Sequence, residues 1–176
     1  FAKTGARLKS IASATGVSSV HVGKKNGLEE ATTDTAAVFA DPDVNGLVIS
    51  TRHNSHAKQV CMGLENGKHI FVEKPLVLNR EELKQVSNVY NGLEIKPLLM
   101  VGFNRRYAPH VVKAKQLLSR QSSPVSMVMT VNAGFIPADH WVHDPVMGGG
   151  RIIGEACHFI DLLRHLAGAS IESVNA

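Results

Sequence analysis

No apolar run in this sequence approaches the roughly 18 residues that a bilayer span needs. The opening Phe1-Ala2-Lys3-Thr4-Gly5 holds no apolar signal core. A membrane partner is therefore not expected, and the chain reads as a cytoplasmic protein. Cysteine is scarce: Cys61 and Cys157 are the two present. Both fall in stretches that read as helical and show no metal-type spacing, so reduced structural thiols are expected in place of a disulfide framework. Aromatics make up 5% of the chain, and the Lys and Arg residues behind the formal net charge of +4 are scattered. The basic stripe of a nucleic-acid partner is missing. Internal repeats and low-complexity tracts are absent, as is an initiating Met. The first residues look like a helix end leading into a strand, as if the sequence began partway through a domain.

What is present is an ordinary globular composition, 44% hydrophobic and 19% charged over 176 residues. Nine histidines are a high count and invite a proton-transfer or metal reading. Residues 6–13 read as a short strand and 16–25 as a short helix or turn. Residues 31–33 read as a polar β-branched strand, and Asp34 as the N-cap of a helix over 35–40. The continuous apolar run over 46–51 (GLVIST) has the pattern of a parallel strand covered on both faces. Over 55–66, Ala57, Val60, Cys61 and Leu64 take the i, i+3, i+4, i+7 spacing of a buried helical stripe that stops at Gly67. A strand over 69–72 runs into Glu73-Lys74-Pro75. Asn79 then caps a helix bearing Leu83, Val86 and Tyr90, and 98–102 is a further strand. Strands alternating with helices of this length argue for right-handed parallel βαβ units.

Beyond Phe103 the grammar changes to a helix over 109–119, an alternating strand over 125–133, a polar loop and a helix over 154–167. The expected division is a dinucleotide-type unit over 1–103 and a second unit over 104–176.

Two strand ends carry chemistry. Thr51-Arg52-His53-Asn54-Ser55-His56 lies between a strand and a helix, where doubly wound sheets place their ligands. The plain alternative is a polar turn with Asn54 or Ser55 as cap. In Glu73-Lys74-Pro75 the proline favours extended backbone at Lys74 and aims that side chain off the strand end. The plain alternative is a surface lysine.

Taken in order, TRHNSH, the helix closing on Gly67-Lys68-His69, the strand into EKP, VGFNRRY, and GGGRIIGEACHFIDLLRHLAG resemble the glucose-fructose oxidoreductase and inositol dehydrogenase (Gfo/Idh/MocA) family across nearly the whole chain. VNAGFIPADHW with the glycine block looks like the branch found as the carboxy-terminal half of larger bacterial two-part oxidoreductases. The resemblance implies an α/β fold: an incomplete Rossmann domain with a parallel sheet, then the start of an α/β domain on a mostly antiparallel sheet that commonly mediates dimers. It implies a hydride-transferring oxidoreductase using NAD or NADP on a sugar, nucleotide sugar or polyol. Thr51, Asn54 and His56 would line the dinucleotide, and Glu73, with Lys74 and Pro75 beside it, would meet the nicotinamide ribose. Lys74 would transfer the proton, Arg105 would lie between cofactor and substrate, and His158 would approach the substrate hydroxyl.

Three departures stand against that pattern. The glycine-rich loop after the first strand is absent, Ser13 stands where an acid would grip a ribose diol, and Gly154 stands where the family has an acid four residues before the histidine. Glu155, one place later, shares a helix face with His158 and is expected to pair with it, raising its pKa. His158 could instead meet only Asp161. Trp141 could wall a sugar site by stacking, or simply pack its loop. Two rival functions remain: a metal-dependent enzyme built on His140, His143 and Asp144, and a non-catalytic dimerisation or regulatory domain of the same fold.

Overall fold

The computed structural model describes residues 4–175. The helix end read at the start of the chain falls largely on residues 1–3, outside that range. Two small parallel sheets carry the first hundred residues. In the first, β1 (Ser10–Ala12) pairs with β2 (Glu30–Thr32) around α1 (Val17–Asn26). β1 is shorter than the expected strand over 6–13, because only its last residues find a ladder partner. α2 (Thr35–Ala40) follows, with the Asp34 carboxylate accepting the Ala37 N–H at 3.0 Å, the N-cap expected of that residue.

The second sheet has the order β3-β4-β5, formed by Gly46–Ile49, His69–Val72 and Leu99–Val101, all parallel. α3 (His56–Glu65) and α4 (Arg80–Gly92) connect them and pack against each other on one sheet face. The main core lies there: Ile49, Ile70 and Val72 from the sheet, Val60, Cys61 and Leu64 from α3, and Val86 from α4. Gly63 allows the close approach, since a Cβ would stand 2.8 Å from Ile70 Cδ1. Asn79 Oδ1 accepts the Glu82 N–H, and the Glu82 carboxylate accepts the Leu78 N–H, so the start of α4 is capped from both directions.

The expectation that 46–51 is covered on both faces is not met. Val48 is 53% and Met100 42% exposed, because among the described residues both neighbouring helices lie on the opposite face.

Past Phe103, a 3₁₀ turn (Asn104–Tyr107) leads into α5 (Pro109–Leu118), which packs on α6 (Cys157–Ala167). Arg106 grips the buried Asp161 carboxylate with two nitrogens and fastens that turn to α6. Asp161 is thus committed to Arg106 and makes no hydrogen bond to His158. Residues 125–133, expected as a strand, run without a ladder. Met127 and Met129 are half-buried while Val128 is 93% exposed, but Val125 and Val131 are exposed too, so the alternation holds only over 127–129. No neighbouring segment supplies a pairing edge, and the expected antiparallel sheet does not form among the described residues. Both cysteines are free thiols. No helix among the described residues is long and apolar enough to cross a membrane.

Candidate functional site

The carboxyl ends of β3, β4 and β5 come together because the strands are parallel and in register. The Glu73 N–H reaches Ile49 O at 2.8 Å, and the Gly102 N–H reaches Val72 O at 2.7 Å. Glu73 and Lys74 therefore leave the centre of this edge. The Lys74–Pro75 bond is cis, and Lys74 Nζ donates to Gly154 O at 2.7 Å and to Glu155 Oε2 at 3.0 Å. Its side chain is 18% exposed, so this is no surface lysine. Gly154 and Glu155 sit in a single π-type turn, Ile152–Ala156, at the head of α6. Such turns insert one extra residue into a helix and recur at functional sites.

Glu155 therefore meets Lys74, with Arg105 Nη2 at 3.8 Å from its other oxygen. Burial pushes the Glu155 carboxyl upward, but the hydrogen bond and charge of Lys74, with His158 and Arg105 behind, hold it below its ordinary value. The expected direct Glu155–His158 pair is not formed. His158 is buried, and its Nδ1 is the one buried side-chain polar atom among the described residues without a hydrogen-bond partner. Its pKa is lowered, first by burial and then by the positive charges of Lys74 and Arg105, which outweigh Glu155. The expected upward shift is thereby reversed, chiefly by burial.

Beside these groups a cavity of about 500 Å³ opens between Arg105, Met129, Asn132, Glu155, Phe159 and Leu162. The Arg105 guanidinium lies 4.7 Å over the Phe159 ring. Trp141 does not line this cavity. It packs edge-on against His53 at 4.9 Å with the Arg52 guanidinium 5.8 Å above it, so it holds the loop after β3 and does not wall the cavity.

That loop divides the expected cofactor residues. Thr51 Oγ1 bonds with Ser55 and Gln59, and Thr51 and Asn54 are exposed. His56 is fully buried, with Nδ1 2.7 Å from Pro75 O and Nε2 3.0 Å from Thr51 O. The His56 side chain therefore has no polar atom left for a dinucleotide, and it ties the loop to the buried Pro75 turn instead. His53, which sequence reasoning passed over, is 8% exposed and donates Nδ1–H to Gly148 O at 2.8 Å. The Asn54 N–H bonds Met147 O at 3.2 Å. Together they latch the post-β3 loop to the glycine turn over 148–150. Only the histidine's place between an apolar strand and a helix hinted at this. Among the described residues no three His, Cys, Asp or Glu side chains are grouped to hold a metal.

The chain is 34% identical to scyllo-inositol 2-dehydrogenase (NAD(+)) of Bacillus subtilis (strain 168) over 88% of its own length and 44% of that protein. It is 31% identical to inositol 2-dehydrogenase of Rhizobium meliloti (strain 1021), covering 97% of this chain and 50% of that one. A levoglucosan dehydrogenase solved with NADH and levoglucosan superposes with a TM-score of 0.74 at 27% identity, over 92% of this chain and 45% of the other. The chain spans half or less of the length of these relatives. Residues 2–103 match the model of the oxidoreductase family with an NAD-binding Rossmann fold. The parallel strand ends, the EKP lysine and this match together make the chain a member of that Gfo/Idh/MocA family.

Proposed function

We propose that this chain carries the reacting end of a nicotinamide-dependent oxidoreductase acting on a hydroxyl-bearing carbon of a sugar, nucleotide sugar or polyol. Residues 1–103 serve the cofactor, NAD or NADP, and residues 104–176 serve the substrate and a homo-oligomeric contact. The carrying observation is Lys74 Nζ, fixed between Gly154 O and Glu155, near a buried histidine whose Nδ1 has no partner. The relatives' names, inositol and levoglucosan dehydrogenases, favour a neutral polyhydroxyl substrate.

The residues present fit the nicotinamide end of a dinucleotide. Thr51 and Asn54 offer exposed hydroxyl and amide groups beyond β3, and the half-buried Glu73 offers a carboxylate to a ribose hydroxyl. When bound, that cofactor supplies the hydride chemistry. The chain's own task is to hold the hydroxyl and move one proton. His158, its pKa lowered chiefly by burial, serves as a proton acceptor on that path. Lys74 completes the proton path from the strand end, and Glu155, which lines the cavity, holds the Lys74 ammonium by a hydrogen bond.

Replacing Lys74 tests this. In the complete enzyme, Lys74→Ala is expected to lower kcat by roughly a hundredfold or more while leaving cofactor affinity nearly unchanged. A near-normal rate against a panel of sugars and polyols would reduce Lys74 to a strand terminus and remove the reading.

A further inference from the structure

Position 154 has no side chain, and the space beside it is already filled. A Cβ there would stand 3.0 Å from Cε1 and 3.3 Å from Nδ1 of His53, and 3.3 Å from Gly148 O. The His53 ring is held on two sides. Nδ1 is bonded to Gly148 O at 2.8 Å, and Trp141 packs against the ring edge. Gly148 is pinned in turn, its N–H bonded to Asp144 O at 2.8 Å. One residue further, the π-type turn brings Glu155 to Lys74, while Gly154 contributes only its carbonyl to the same ammonium.

Resting on the functional reading above, we propose that His53 is a positioning residue that sets which residue of the α6 entry presents its carboxylate to Lys74. By filling the space beside position 154 it excludes a side chain there and makes Glu155 the partner. The loop after β3 and the turn before α6 are thus matched parts, though 100 residues separate them in sequence: a carboxylate at 154 requires a smaller residue at 53.

Thermal unfolding tests the steric part without any cofactor. Gly154 is not in the left-handed region, so alanine would ordinarily be the better helix former. In the full chain Gly154→Ala is nonetheless expected to lower Tm by roughly 3 °C or more, and by less than about 1 °C in a His53→Ala background. Equal shifts in the two backgrounds overturn the proposal. If His53→Ala fails to fold, His53→Asn, which is smaller and keeps an N–H donor, takes its place. Turnover of the complete enzyme tests the functional part. Moving the acid back one residue, with Gly154→Asp and Glu155→Ala together, is expected to lower kcat about tenfold or more. Adding His53→Asn to that protein is expected to restore about fivefold or more of kcat, with KM for the cofactor unchanged. No recovery overturns the positioning role. A wild-type enzyme without turnover refutes the functional reading alone, because the unfolding comparison still judges His53.

Discussion

Lys74 holds two partners at once, and what each contributes differs. Gly154 supplies a backbone carbonyl that mutation cannot remove, while Glu155 supplies the charge. Glu155→Gln in the complete enzyme keeps the shape and loses the charge. It is expected to lower kcat/KM by at least about tenfold, or about 1.4 kcal/mol of transition-state stabilisation, with little change in Tm. An unchanged rate would leave Glu155 as a helix-entry acid only. The histidines carry a pH signature. His53 and His158 both have pKa values pushed below their ordinary 6.5, chiefly by burial. Between the ordinary and the lowered value the unfolded chain binds protons that the folded chain refuses, so stability falls as pH falls through that window and levels off below it. Tm is therefore expected to drop as pH falls through and below the ordinary histidine value of 6.5, and to drop less in His158→Asn. A pH-independent Tm would contradict the burial of both rings. The placement of Lys74 at a strand end and of His158 on a helix was legible in the sequence. The Glu155–Lys74 contact was not, since an offset of one residue depends on a local widening of the helix that periodicity does not encode.

At the scale of elements, sequence pattern succeeded wherever an element's stability is local. The Asp34 and Asn79 caps, the α3 stripe and the Gly67 stop all stand where spacing put them. Asn79→Ala is expected to cost about 1 kcal/mol by releasing the Glu82 N–H. Leu64→Ala, at a fully buried site on α3, is expected to cost about 2–5 kcal/mol. Denaturant unfolding with an unchanged slope checks both. Pattern failed where an element needs a partner from elsewhere. Residues 125–133 alternate in sequence as a strand should, yet a strand exists only against a second strand, and none lies beside them among the described residues. The apolar run through β3 likewise reads as doubly covered, although coverage is decided by which side the crossovers take. Asp161, three residues after His158, was the alternative partner to Glu155, but Arg106 from the turn before α5 arrives with a better-matched fork.

Across the whole molecule, stability is unevenly spread. Among the described residues the buried apolar ones run from Phe39 to Val86, whereas Val17, Val20 and Val22 of α1 are exposed, and no ladder joins β1-β2 to β3-β4-β5. Amide exchange is expected to be fastest over β1, α1 and β2 and slowest over β3, α3 and β4, because local opening follows buried apolar contact. Uniform protection would show the two sheets to be one cooperative unit. The alternation of strands and helices and the strand-end lysine follow from residue order alone, because short-range periodicity and turn chemistry express themselves within a few residues, and the family follows from the resemblance of whole motifs. The partner of Lys74, the structural use of His56, and the fit of His53 beside Gly154 belong to the tertiary structure. Each is a contact between segments 19 to 101 residues apart, and only the packing of parallel strand ends against the entry of α6 determines which side chains occupy that shared space.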